Sequence, residues 1–281
     1  MQNIWYNYFK QDKPYWGDKM LEYYNIFLPK SKREVKIEVS VPRNKTNIKF
    51  DTLYFLDGQN AFKDSHAAFG KSIGAAKTLG ECAKTMGKRI LGVAIYNSGS
   101  DLGRINEYTP FKIDNPADIS WTNHDPINCF NFCDDLVNTI IPFIECKYNT
   151  YKNKNHRFIY GSSLAAVTAM YLGVSYDSFN YIGSFSTASF LFEKKYFEFL
   201  DEHSLKNKNI FLYVGRREAS DGEYNKELYY NSAINIYNYL KSKKVRTRLV
   251  VDKLGEHNEA TWERHIIDFI NFIYFDDIMY V

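Results

Sequence analysis

The spacing of apolar positions changes period several times along this chain, and each change predicts an element. "EYYNIFLP" (Glu22 to Pro29) and "EVKIEVSVP" (Glu34 to Pro42) alternate with period two, which predicts an antiparallel pair of strands. "FDTLYFLDG" and "RILGVAIYN" are instead nearly continuous apolar runs that end in polar residues or glycine. Such runs suit strands covered on both faces. The later half alternates a helix around Phe130 to Lys147, the strand "RFIYG", a helix from Leu164, the strand "YIGSFS" and a helix near Phe192 to Leu200. "NIFLYVG", a helix from about Tyr224 to Ser242, "TRLVVDKLG" and a helix from about Glu259 to Tyr274 complete the order. Strands that alternate with helices predict an α/β protein, a mainly parallel central sheet with helices on both faces.

In such a sheet, chemistry collects at the carboxyl ends of the strands, here after Leu56, Tyr96, Tyr160, Ser186, Val214 and Leu254. The stretch from Ser98 to Asn128 is the longest without clear periodicity. A loop of that size is commonly a lid or a pocket wall, and an irregular insertion is the plainer alternative.

No repeat or low-complexity linker divides residues 1–281, so a single domain is expected. A hydrophobic share of 45% against 25% charged residues is enough for a buried core and argues against disorder. The net charge of +3 is small and the lysines are scattered; even "KYNTYKNKNHR" reads as a solvated loop before a strand. A nucleic-acid partner is therefore not expected. Cys82, Cys129, Cys133 and Cys146 form neither a CxxC pair nor a metal-type spacing, so neither a metal nor another cofactor is expected. The last three fall in or beside a predicted helix, where cysteine serves as a small buried hydrophobe. The start of the chain lacks a signal-peptide pattern, and no run of about 18 apolar residues follows, so the expectation is a cytoplasmic protein without a membrane partner. Oligomeric state is not legible.

Ser163 sits between a predicted strand and a predicted helix in Gly161-Ser162-Ser163-Leu164-Ala165. A tight strand-to-helix turn pushes such a serine out of the sheet and aims the helix amino terminus at the reacting centre, as a nucleophile requires. Glycine and serine also make purely structural turns, and the pentapeptide alone does not choose. Context adds an acid and a base in the chain order that this arrangement uses. His257, after the last strand, is the histidine whose place fits both the order and the sheet edge. Glu218, just after "NIFLYVG", is the acid that would hold the imidazole, with Asp221 as runner-up; either one can also be a hydrated loop carboxylate. The backbone N–H of Leu164 and that of Gln59, less favourably Asn60, in "YFLDGQNAF" are placed to stabilise an oxyanion. Asp57-Gly58 is also a common turn dipeptide.

Taken together, "YFLDGQNAF", "GVAIYNSGSDLGRINEYTPF", "DLVNTIIPFIECKY", "YGSSLAAVTAMYLGVSYDSFNYIGSFS", "LYVGRRE" and "GEHNEATW" resemble the putative esterase family of α/β-hydrolases, which includes esterase D and enterochelin-esterase-type enzymes. The resemblance runs from about Tyr54 onward. It implies the α/β-hydrolase fold and a carboxylic-ester hydrolase acting on a small acyl, aryl or sugar ester through an acyl-enzyme. It further implies Ser163 as nucleophile, His257 as base, Glu218 as acid, and Gln59 and Leu164 as oxyanion donors. An acyltransferase on the same acyl-enzyme, and a non-catalytic binding protein that kept the fold, are the alternatives. Arg104, Glu107 and Tyr108 match a segment near the pocket, which makes them candidates for substrate contact or structural support; the candidate pocket residues are Arg104, Tyr108 and, from the "YFLDGQNAF" loop, Asn60. An Arg and a Glu at this spacing can also pair with each other and order the loop, which is the favoured reading. The chain departs from the family at Ala165 and Ala166, where two glycines are usual, so a strained or displaced turn is expected there. It also departs at Arg216 and Arg217, which either attract an anionic substrate or face solvent.

Overall fold

The alternating segments and apolar blocks become strands where expected, after a two-residue strand that the pattern does not mark, β1 (Tyr15–Trp16): β2 (Lys19–Leu28), β3 (Arg33–Pro42), β4 (Asp51–Phe55), β5 (Ile90–Ile95), β6 (Arg157–Ser162), β7 (Tyr181–Phe185), β8 (Asn209–Arg217) and β9 (Arg246–Glu256). The structure is a computed structural model that describes residues 15–16, 19–42, 48–99, 101–113, 126–218 and 226–275. Among the described residues the strands form one sheet in the order β1-β2-β3-β5-β4-β6-β7-β8-β9. β2 and β3 pair antiparallel, with Leu28 opposite Arg33 and Lys19 opposite Pro42. From β5 to β9 every pairing is parallel.

Alternation along the central strands divides the core between the two faces of the sheet. Leu53, Phe55, Phe158, Tyr160, Phe185, Phe211 and Tyr213 pack on one side. Tyr54, Leu56, Ile159, Ile182, Ile210 and Leu212 pack on the other. Helices α1 (Ala75–Thr85), α2 (Asp101–Tyr108), α3 (Pro126–Asp135), α4 (Ile141–Lys147), α5 (Leu164–Ser175), α6 (Glu193–Glu202), α7 (Lys226–Ser242), α8 (Glu259–Glu263) and α9 (Ile266–Tyr274) accompany it. The Trp262, Ile266, Phe269 and Ile270 side chains of α8 and α9 join the first cluster, and Ala165, Val167 and Ala169 of α5 join the second. None of the described helices is long and apolar enough to cross a membrane.

Four helical features differ from the sequence expectation, one being that the closing helix expected over Glu259 to Tyr274 is broken into α8 and α9. α1 has no counterpart in the apolar pattern, because Leu79 and Cys82 are its only buried residues larger than alanine. α2 lies inside the stretch from Ser98 to Asn128, where Ile105 and Tyr108 supply a buried i, i+3 pair; residues 100 and 114–125 of that stretch are outside the described part. The helix expected over Phe130 to Lys147 is α3 and α4 joined by a wide π turn over Leu136–Ile140. Pro142 has no N–H to give, and its ring crowds the carbonyl four residues earlier, which the wider turn relieves. Cys146 is exposed, unlike the buried Cys82, Cys129 and Cys133.

Behind the end of β9, His265 stacks on Tyr213 with ring centroids 4.5 Å apart. Its Nδ1 meets Asp268 Oδ2 at 2.8 Å and its Nε2 meets Asp252 Oδ2 at 3.2 Å. Burial opposes a charge there, but the two carboxylates outweigh it and raise the imidazole pKa above the ordinary value. A raised folded-state pKa stabilises the fold fully below about 6.5, the unfolded value, and that contribution is lost as pH rises through the folded value. The Tm gap between the native protein and His265→Gln is therefore expected to be widest at pH 5 and to narrow toward pH 9 in thermal melts. A gap that stays constant or widens with pH would contradict this account.

Candidate active site

Ser163 is the single residue between β6 and α5, and it adopts φ 59°, ψ −123°. A left-handed φ on serine costs about 1–3 kcal/mol and persists only where the surroundings enforce it. Here the Ser163 N–H donates to Phe185 O on β7 at 2.9 Å, and its carbonyl accepts from Ala166 N–H at 3.1 Å. Two residues earlier a side chain is impossible, since a Cβ on Gly161 would lie 2.1 Å from Ala165 O. Ala165 and Ala166 are fully buried in an unbroken α5.

The carboxylate comes from the end of β8. There the pairing with β9 shifts register, two steps from Gly215 to Arg217 facing four from Asp252 to Glu256, so the extra residues lie in β9 beside the end of β8. Glu218 is 0% exposed, and its Oε2 lies 2.6 Å from His257 Nδ1. Its other oxygen accepts from Gly215 N–H at 2.6 Å and from the Ser186 hydroxyl at 2.7 Å. The Ser186 oxygen in turn accepts from the Trp262 indole N–H at 2.9 Å. His257 is held between Tyr229, with centroids 4.2 Å apart, and the edge-on ring of Trp262 at 5.1 Å. Asp221, the alternative acid, lies outside the described residues. Arg216 packs over Tyr230 and pairs with the exposed Glu227, and Arg217 is exposed.

At the end of β4 the chain turns through Asp57, φ 51°, into a short 3-10 turn over Gly58–Asn60. The left-handed residue of this turn is thus the aspartate. Gly58 is required for a different reason: a Cβ there would lie 2.4 Å from Ile95 N on β5. The Asn60 N–H is spent on Asp57 O at 2.9 Å. Gln59 and Leu164 each stand within the first turn of a helix, where N–H groups have no intrahelical acceptor.

Asp57 is 5% exposed and its carboxylate is fully engaged. Arg104 Nε lies 3.0 Å from both its oxygens, Arg104 Nη2 lies 2.6 Å from Oδ2, and Asn97 Nδ2 donates to Oδ1 at 2.7 Å. Tyr108 is wholly buried, and its hydroxyl accepts from Asp57 N–H at 2.9 Å; it braces the turn from behind and does not line the pocket. Arg104 and Glu107 do not pair with each other. Glu107 instead meets Arg33 at 2.5 Å and accepts from Ser98 N–H at 3.0 Å. On a helix of eight residues, α2, the two side chains point to different neighbours, so both support structure through partners remote in sequence.

These elements enclose a cleft of about 740 Å³ lined by Gln59, Asn60, Arg104, Ser163, His257 and Glu259, with Tyr96, Phe69 and Trp262 as its aromatic walls. Cavities of about 620 Å³ at Leu21 and Phe62 and of about 530 Å³ at His203 and Lys208 lie elsewhere and contain neither Ser163 nor His257. The contacts of Ser186 and Trp262 behind Glu218 are not foreseeable from sequence; a hydroxyl at a strand end and a tryptophan on a helix carry no spacing signal that links them.

A model of the family described as Putative esterase matches residues 29–273. The chain belongs to this family. This esterase also shares its fold with solved structures at low identity. An IroE-like serine hydrolase from Shewanella oneidensis superposes with TM-score 0.72 at 15% identity, covering 90% of this chain and 78% of the other. A ferulic acid esterase gives 0.69 at 15% identity, covering 91% and 97%. The enterobactin esterase FES from Shigella flexneri, solved in the presence of enterobactin, gives 0.70 at 14% identity; 90% of this chain is covered, and it spans 58% of that longer protein. The fold is that of an α/β-hydrolase, and the family is one of esterases.

Removing Arg104 would leave the Asp57 carboxylate buried with Asn97 as its remaining side-chain donor. Since breaking a buried pair costs about 3–5 kcal/mol, and Arg104 is itself 30% exposed, Arg104→Ala is expected to lower the unfolding free energy by about 2 kcal/mol. Arg104→Lys, which keeps the charge but loses the two-pronged contact, should fall between Arg104→Ala and the native protein in urea melts.

Proposed function

We propose that this protein is a serine esterase that cleaves a carboxylic ester by double displacement, with Ser163 as nucleophile, His257 as base and Glu218 as the acid that orients it. The observation that carries the proposal is the 2.6 Å contact of the buried Glu218 with His257 Nδ1, in a cleft that also holds the left-handed Ser163. With Nδ1 directed at the carboxylate, Nε2 is the nitrogen left to receive the Ser163 proton. Ser163 Oγ attacks the acyl carbon as that proton moves to His257. The carbonyl oxygen becomes an oxyanion, for which the N–H groups of Gln59 and Leu164 are the proposed donors. Collapse expels the alcohol with the proton from His257, leaving an acyl-serine. Water then attacks in the same manner and frees the acid.

The substrate class in this proposal is a small acyl, aryl or sugar ester. The aromatic walls at Tyr96, Phe69 and Trp262 support a ligand with flat or apolar faces. Two structural neighbours bear names that describe esterases of enterobactin and of ferulic acid. The continuous sheet from β1 to β9 supports the reading of residues 1–281 as one domain.

Purified protein is expected to hydrolyse a short-chain p-nitrophenyl ester and to be labelled at Ser163 by a fluorophosphonate. Ser163→Ala should abolish both. Glu218→Gln should lower kcat by roughly 10²–10⁴-fold, since it withdraws the charge that steadies the protonated imidazole. Full hydrolysis by Ser163→Ala, or labelling at another serine, would sink the proposal.

A further inference from the structure

The His257 loop and the turn that carries Gln59 are joined by one side-chain contact. Asn60 Nδ2 donates to Glu259 Oε1 at 2.8 Å. Asn60 follows Gln59 directly, and Glu259 is two residues beyond His257. The orientation of the Asn60 amide is determined by its other end, where Oδ1 accepts from Ala68 N–H at 2.9 Å. A backbone N–H can only donate, so the amide oxygen must face Ala68 and the NH₂ must face the carboxylate. Asn60 is therefore used in both directions: toward the rim loop that carries Phe69, and toward the first residue of α8. Its backbone is held as well, the N–H by Asp57 O and the carbonyl by Ile73 N–H at 2.8 Å. Glu259 is 7% exposed, and burial raises its pKa, as expected for a carboxyl group whose side-chain partner is a neutral amide.

We propose that Asn60 and Glu259 are positioning residues that hold the Gln59 N–H in register with His257, so that the oxyanion donor and the base move as one unit. This inference rests on the reading of Gln59 as an oxyanion donor and of His257 as the base. Neither residue is assigned contact with the reacting atoms. Their effect is expected in kcat rather than KM, because an oxyanion donor acts on charge that develops after the substrate is bound.

The test exchanges the two groups. Asn60→Asp keeps an acceptor for Ala68 N–H but opposes a carboxylate to Glu259. Adding Glu259→Gln then supplies an amide NH₂ to the carboxylate introduced at position 60, restoring that hydrogen bond with donor and acceptor reversed while Ala68 N–H keeps its acceptor. Asn60→Asp alone is expected to lower kcat on a p-nitrophenyl ester by up to about 10²-fold, the order seen when a catalytic group is misplaced by about 1 Å, with KM changed less than about threefold. The double variant Asn60→Asp/Glu259→Gln should recover at least about tenfold of that loss. Circular dichroism and Tm, measured on both variants, separate this from misfolding. A double variant that is folded yet no faster than Asn60→Asp overturns the proposal, as does a folded Asn60→Asp with native kcat. Absence of ester hydrolysis and of fluorophosphonate labelling in the native protein would instead overturn the reading of the site on which the proposal rests.

Discussion

Three neighbouring strands end in left-handed residues that are not glycine, and the geometry of the cleft depends on keeping them there. Asp57 follows β4 with φ 51°, Ser163 follows β6 with φ 59°, and Ser186 follows β7 with φ 48°. These strands are adjacent in the sheet, so the three turns lie side by side. At about 1–3 kcal/mol each, their combined cost is comparable to the whole net stability of a typical domain, about 5–15 kcal/mol. The restoring contacts are correspondingly strong. Asp57 is held by an arginine, an asparagine and a tyrosine hydroxyl. Ser163 N–H and Ser186 N–H are tied to Phe185 O and Tyr213 O, each on the next strand along, at 2.9 and 2.8 Å. The sheet thus supplies the force that bends its own strand ends outward.

Three buried carboxylates surround this region, and their partners sort them. Asp57 faces a guanidinium and is a structural anchor. Glu259 faces an amide, and burial raises its pKa. Glu218 receives a backbone N–H and a hydroxyl on one oxygen and the imidazole on the other, so its charge is supported without a fixed cation that would compete for it. A carboxylate arranged in this way can fix the orientation of a neighbouring imidazole. The Trp262 indole strengthens the arrangement twice, by donating to Ser186 and by packing its ring against His257.

Much of this is legible in the sequence because parallel α/β topology ties function to strand ends. The apolar blocks at Leu53, Ile159 and Leu212 mark the strands, and the residues after them fall into the cleft by construction. Ser163, Glu218 and His257 therefore stand out by order and placement, and the structure brings all three to one end of the sheet. What the pattern does not disclose depends on contacts between distant segments. The pairing of Arg104 with Asp57 spans 47 residues, and that of Arg33 with Glu107 spans 74. At i, i+3 on a helix the local Arg104–Glu107 pair looks sufficient, but a buried carboxylate at Asp57 offers the arginine a stronger partner. The dipeptide Asp57-Gly58 announces a turn, yet its composition puts the conformational burden on the wrong residue. Only the proximity of β5 shows that Gly58 is needed for space.

The alanines that follow Ser163 illustrate the same distinction between a pattern and its cause. Small residues on both sides of a strand-to-helix serine look equivalent in the sequence, but the two sides meet different obstacles. A side chain at Gly161 would strike the carbonyl oxygen of Ala165, a backbone atom that no choice of side chain at 165 can move. At Ala165 and Ala166 the methyl groups lie on a helix that is fully buried there, and Ala165 contributes to the core below α5. The prohibition at 161 is therefore absolute, whereas the preference at 165 and 166 is one of packing, which this core satisfies with alanine. A turn of this kind tolerates G-x-S-x-A because one glycine carries the steric demand, and the helix that begins at Leu164 absorbs the rest.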